Sequence, residues 1–184
     1  MNTKEAIFAG GCFWCTEHDL REVSGVLDAI SGYIGGSAED ANYEAVSSHA
    51  TGHREAVRVV YDGDVTTFKK LTQFFLDHID PTDPDGQFHD RGDNYKTAIY
   101  YSTDEEKSIV ESLIKELQES GIYEKPIAVQ ILPKMDFYTA EEFHQKYSDK
   151  NSLHYAMYRK GSGREDFVNN VCHIRDEKKI NWKD

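Results

Sequence analysis

Cysteine is scarce in this chain: three residues in 184. So few thiols do not make a disulfide scaffold, and an odd number leaves at least one unpaired within a monomer. Any disulfide is therefore expected to be transient and catalytic, in a reducing, cytosolic setting. Long apolar runs are also missing. The longest, residues 6–15, is broken by Gly10 and Gly11 and falls far short of the ~20 residues of a membrane span. Lys4 and Glu5 precede only a handful of apolar residues before Cys12, without a cleavage site, so no secretory signal is read. Positive charge is in deficit as well, with a formal net charge of −12, which argues against a grip on nucleic-acid phosphates. There is no internal repeat, P-loop, dinucleotide fingerprint, serine-nucleophile elbow or His-Glu-x-x-His spacing. The Asp-rich stretch around Gly86 fails the EF-hand register, because Pro81 would occupy the first ligand position and Gly92 the last.

What remains is a chain of one-domain length with enough large rings, eleven Tyr and nine Phe, to build a core. Short apolar runs alternate with helical patterns, which predicts an α+β, two-layer sandwich. Strands are expected at 6–9, 26–34, 55–61, 98–101 and 127–132. Helices are expected at 13–23, at 68–79 behind a Thr66/Thr67 cap, and at 103–121 behind a Thr103/Glu106 capping box. A further capping box is read at Thr139 and Glu142. Two long segments, 35–52 (with a short helix near 43–48) and 80–94, lack periodicity, as functional loops do. The division expected is a catalytic domain over 1–160 and a tail over 161–184, packed or mobile. The chain from Arg159 onward is net basic.

The chemistry concentrates in Gly10-Gly11-Cys12-Phe13-Trp14-Cys15. A strand followed by two glycines and then a helix puts Cys12 at a positive helix terminus, where a thiolate is stabilised and its pKa is expected to fall. Four readings stay open on the residues alone. One is a nucleophilic thiol beside an aromatic substrate surface. Another is a general C-x-x-C thiol–disulfide oxidoreductase. The third is a peroxide-reactive cysteine. The fourth is a zinc-stabilised interaction module using Cys12, Cys15, Cys172 and His173. Glu55, at the mouth of the clearest strand, and Tyr43, Asp90 and Tyr95, in the two long segments, are further candidates.

Several stretches occur in order: Gly11-Cys12-Phe13-Trp14, Gly32-Tyr33-Ile34-Gly35-Gly36, Tyr43-Glu44-Ala45-Val46 and Thr51-Gly52-His53-Arg54-Glu55. Asp80-Pro81-Thr82, Asp90-Arg91-Gly92, Tyr95 and Ala140-Glu141-Glu142-Phe143-His144-Gln145 follow. Together they resemble the peptide methionine sulfoxide reductase A family over roughly residues 5–160. The resemblance implies a two-layer α+β sandwich with a mixed sheet and a ferredoxin-like core, and reduction of methionine-S-sulfoxide without a metal or cofactor. It implies Cys12 as nucleophile and Glu55 as the acid that protonates the sulfoxide oxygen. Tyr43, Asp90 and Tyr95 would bind that oxygen, and Phe13 and Trp14, with Tyr95, would hold the methyl group. A sulfenic acid on Cys12 would then be resolved by a second thiol. Cys15 is slightly preferred and Cys172 is the other candidate, alone or in relay. Thioredoxin is the implied reductant, acting on a monomer. Three places depart from the family pattern: Cys15 in place of a common Gly, Gln87-Phe88-His89, and Asp93-Asn94-Tyr95-Lys96.

Overall fold

Alternating apolar residues along four stretches of chain build the centre of a six-stranded sheet, and amphipathic helices cover one of its faces. The computed structural model describes residues 2–178 and 181–182. In chain order the elements are β1 (Thr3–Ala9), α1 (Phe13–Arg21), β2 (Val26–Ile34), α2 (Tyr43–Ser47), β3 (Arg54–Asp62), α3 (Phe68–Asp77) and the short pair β4 (Gly86–Gln87) and β5 (Asp90–Arg91). They continue with β6 (Ala98–Tyr101), α4 (Asp104–Glu119), β7 (Gln130–Pro133), β8 (Phe137–Thr139), α5 (Tyr147–Lys150), α6 (Ser152–Gly161) and α7 (Arg164–Lys178). Single 3₁₀ turns span Asp93–Tyr95 and Glu142–His144.

The large sheet runs β7-β6-β1-β3-β2-β8. Only β6 and β7 are parallel; the other neighbours are antiparallel, so the sheet is mixed, as expected. Register puts Phe8 opposite Val57 on one side and Ile99 on the other. These side chains face α1, α3 and α4, whose Phe13, Leu20, Leu71, Phe75, Leu113 and Leu117 complete the main core. Phe8 and Phe75 lie 4.9 Å apart, centroid to centroid. The opposite face carries a smaller cluster that includes Ile7, Ala56, Ala98 and Tyr100.

The caps at Thr67 and Thr103 form as the sequence requires, each hydroxyl accepting from an amide 3.2 Å away. Two expectations are corrected. The strand read at 127–132 begins at Gln130, because the amides of Ile127 and Ala128 donate to Gln118 Oε1 and Pro81 O at 2.8 and 2.7 Å and so leave the ladder. Thr139 and Glu142 do not cap a helix. Thr139 ends β8 opposite Gly32, Glu142 accepts from Lys150 Nζ at 2.9 Å and opens only a 3₁₀ turn, and α-helix begins at Tyr147. Gln145 holds this stretch in place, exchanging hydrogen bonds of 3.0 and 2.9 Å with both backbone groups of Ser31.

Beyond residue 160 the chain turns back in α7 to lie beside α3. Arg164 at its start is buried, and Phe167 meets Phe88 edge-on at 5.4 Å. Of the segment 161–184, residues 179–180 and 183–184 lie outside the described residues.

Candidate active site

The strand β1 leads straight into the Gly10–Gly11 turn. Gly11 has φ +79°, in the left-handed region, and a Cβ there would lie 2.5 Å from Gln87 Cβ. Glycine thus permits both the turn and its close seat on β4. Cys12 follows as the N-cap of α1, and Cys15 sits one turn in; both are buried and unoxidised.

Glu55 enters from β3, where register sets it opposite Tyr33. Its Oε2 accepts the Phe13 amide at 3.0 Å, so the first free N–H of α1 is spent on the carboxyl. Burial pushes Glu55 up to about 8, against the opposing pull of that amide. The carboxyl is therefore neutral at pH 7, as a proton donor must be.

The acidity expected of Cys12 is corrected. Burial, reinforced by Cys15 and Glu55, pushes this thiol up rather than down. The cost of desolvating a thiolate exceeds what the helix terminus returns, and the amide that would have held the charge is already occupied. Cys15 moves the other way. The hydrogen bond from Cys12 lowers it, helped by the charges of Arg164 and Arg159.

Three aromatic groups and a carboxylate complete the enclosure. Tyr43 opens α2, whose N-cap Asn42 accepts from Ala45 at 3.0 Å. Glu141 holds it from behind, accepting the Tyr43 amide and the Tyr33 hydroxyl, each at 2.8 Å. Asp90 comes from the β4–β5 hairpin and Tyr95 from the turn after it. Burial raises Tyr43, Tyr95 and Asp90. Trp14 stacks on Tyr147 at 3.8 Å, and its Nε1–H donates to His144 Nδ1 at 3.0 Å. Accepting there leaves the imidazole proton on Nε2, and burial holds His144 below its ordinary value.

Cys12, Phe13, Trp14, Tyr43, Glu55, Asp90 and Tyr95, joined by Tyr158, line one cavity of about 120 Å³. At ~30 Å³ per water, that is room for a small polar group rather than a whole residue. Sequence reasoning missed Tyr158, whose hydroxyl donates to Asp90 and also meets Cys12. It missed Arg164 too. His144 lay within a stretch noted for its resemblance, without a role; Tyr158 and Arg164 carried no comparable signal.

The structure does not bring Cys172 to this cavity. It is exposed on α7, about two helical turns, or ~12 Å, beyond Arg164. Among the described residues no group of three or more His, Cys, Asp and Glu is arranged to hold a metal ion, so the zinc module is not favoured. Phe88 and His89 do not crowd the cavity: Phe88, at φ +56°, turns instead toward Phe167 and Arg164, and His89 is exposed. No helix of the described residues is long and apolar enough to cross a membrane.

A paired thiol and a neutral carboxyl walled by aromatic rings make a thiol-dependent oxidoreductase for a small polarised group. Residues 4–175 match the peptide methionine sulfoxide reductase family. The peptide methionine sulfoxide reductase MsrA of Bacillus velezensis is 49% identical over 171 residues, 93% of this chain and 96% of its own. That of Bacillus subtilis is 47% identical over 163 residues, covering 89% and 92%. Among solved structures, the reduced form of Mxr1 from Saccharomyces cerevisiae superposes with TM-score 0.77 at 32% identity, over 82% of this chain and 87% of that one. Mxr1 in complex with Trx2 gives TM-score 0.54 at 26% identity, over 79% and 85%. The chain belongs to the peptide methionine sulfoxide reductase A family.

Proposed function

We propose that this protein reduces methionine-S-sulfoxide, in proteins or free, and that the cavity residues divide the work as follows. The observation that carries the reading is the contact of Glu55 with the Phe13 amide, which holds a protonated carboxyl against the nucleophile's own helix. Phe13, Trp14 and Tyr95 take the methyl group. Tyr43, Tyr95 and Asp90 bind the sulfoxide oxygen, the tyrosines as neutral donors. Glu55 passes its proton to that oxygen as the Cys12 sulfur attacks the substrate sulfur. The Cys12 proton returns to Glu55, the substrate S–O bond breaks as the hydroxyl bonds to the Cys12 sulfur, and methionine leaves reduced by two electrons while Cys12 is oxidised to a sulfenic acid. A neutral Glu55 adds no second negative charge to the site.

Cys15 then resolves the sulfenic acid, with Cys172 as a later relay. The hydrogen bond between the buried Cys12 and Cys15, against the exposed and distant Cys172, supports that order. A dithiol protein of the thioredoxin type is the reductant that fits, and the complex of Mxr1 with Trx2 supports it. We place the enzyme as a monomer in a reducing cytoplasm. Its catalytic unit spans residues 1–160, and the start of the 161–184 tail, through Arg164 and Phe167 of α7, packs upon it. The core order β6-β1-β3-β2, crossed by α1 and α3, supports a ferredoxin-like scaffold.

The test is turnover on separated sulfoxide epimers followed by mass spectrometry, with Cys12→Ser, Cys15→Ser and Cys172→Ser in parallel. Reduction confined to the S epimer and abolished by Cys12→Ser is expected. Turnover of both epimers, or survival in Cys12→Ser, would defeat the assignment. A general thiol–disulfide oxidoreductase is disfavoured because Cys12, at 5% exposure, offers little sulfur to a protein disulfide.

A further inference from the structure

Arg164 opens α7 and is 2% exposed, one of the largest fully buried side chains in the protein. Its Nη2 donates to Gly10 O at 2.7 Å and its Nη1 to His78 O at 2.9 Å. The guanidinium lies over the Phe88 ring at 4.8 Å. Among the described residues no carboxylate forms a salt bridge with it; its charge does act on Asp90, whose carboxyl accepts the Tyr158 hydroxyl. A buried cation held by carbonyl dipoles and a ring face, without a close ion pair, is stabilised further when an anion forms nearby.

The neighbouring cation, Arg159, is already matched: Asp19 lies 2.9 Å from it, and the Tyr155 hydroxyl lies 3.0 Å away. The groups facing Cys15 are thus Cys12 from the turn, Asp19 from α1, Glu55 from β3, Tyr155 and Arg159 from α6, and Arg164 from α7. Of these, only Arg164 brings a positive charge that no salt bridge engages.

We propose that Arg164 is a positioning residue for the second half-reaction: it fixes the Gly10–Gly11 turn beneath the cysteines and supplies the counter-charge for Cys15 as it attacks. This rests on reading Cys15 as the resolving thiol. In that step the Cys15 thiolate attacks the sulfur of Cys12–S–OH. The S–S bond forms as the S–O bond breaks. The Cys15 lone pair becomes the S–S bond, the S–O pair leaves with the hydroxide, which takes a proton from solvent and departs as water, and both sulfurs end at the same disulfide oxidation level. The lowering of Cys15 by the Arg164 charge agrees with the geometry.

The experiment is a rapid-quench measurement of disulfide closure after one equivalent of methyl sulfoxide, followed by peptide mapping across pH. Wild type, Arg164→Lys and Arg164→Met are compared. Closure in Arg164→Met is expected to slow about tenfold near neutral pH, with its midpoint raised by about one pH unit, because the thiolate fraction falls with the lost cation. Arg164→Lys should restore the midpoint. Should Arg164→Met fail to fold, Arg164→Gln, which keeps an amide donor without charge, takes its place against Lys. Equal slowing at every pH with an unmoved midpoint would reduce Arg164 to a structural role and overturn the proposal. A wild-type map linking Cys12 to Cys172 with Cys15 free would instead remove the reading beneath it, whatever the variants do.

Discussion

Glu55→Gln should separate stability from catalysis in opposite directions. The native carboxyl titrates at about 8 against an ordinary 4.5. Between those pH values the unfolded chain has released this proton and the folded chain still holds it. The unfolded state therefore binds fewer protons, and Glu55 erodes stability as pH rises from about 4.5 to about 8. The contribution is fully present below the lower value and lost on passing the upper one. At ~1.4 kcal/mol per pH unit the whole excursion amounts to about 5 kcal/mol, an upper bound. Glutamine keeps the shape and an oxygen for the Phe13 amide but cannot ionise. Relative to wild type, Glu55→Gln should gain nothing near pH 4 and become progressively more stable toward pH 8, in urea denaturation repeated at each pH. Its reduction of methyl sulfoxide should fall by about 10²–10⁴, the usual worth of a general acid. A stability difference that is flat with pH, or near-full activity in the variant, would show that Glu55 neither holds its proton near pH 7 nor delivers it.

In the wild-type enzyme the same group should set an alkaline limb, with kcat/KM falling as pH rises through about 8, read from a pH–rate profile. Cys15→Ser should release one methionine per enzyme and then stall with thioredoxin as reductant, whereas Cys172→Ser should yield the same first disulfide as wild type; thiol counting after a single turnover checks both. His144→Phe keeps the packing but strips the acceptor from the Trp14 indole. A loss of about 1–3 kcal/mol and a raised KM should follow, measured by denaturation and steady-state kinetics. Gly10→Ala puts a methyl 2.6 Å from Thr16 Oγ1 and 2.8 Å from Phe75 Cε2. Overpacking of about 1–3 kcal/mol should appear as a lowered Tm.

The elements most open to reading were those whose signal is local. β2 and β6 match their expected limits because their apolar residues lie in continuous strand stretches bounded by glycine or turn residues. The cavity was legible for the same reason: Gly11, Cys12 and Trp14 announce a turn and a helix start, and seven of the expected side chains do line one space. What failed depended on distant partners. Thr139 and Glu142 have the spacing of a cap, yet Thr139 serves a ladder with Gly32 from more than a hundred residues earlier. The helix terminus at Cys12 has the right polarity for an acidic thiol, but burial and Glu55, from another strand, decide otherwise. Tyr158 and Arg164 acquire meaning only once α6 and α7 fold back on the first helix.

The cavity draws Cys12 from one end of the chain and Tyr158 from the other, with Arg164 just beyond them bonded to Gly10. On a ribosome adding 5–20 residues per second, the ~150 residues between Cys12 and Arg164 take roughly 8–30 s to make. For that interval the two sulfurs exist without the cover that later buries them, open to oxidants and to chaperones alike. The enzyme thus becomes competent late in its own synthesis, and its nascent form meets oxidants with its catalytic thiols still uncovered.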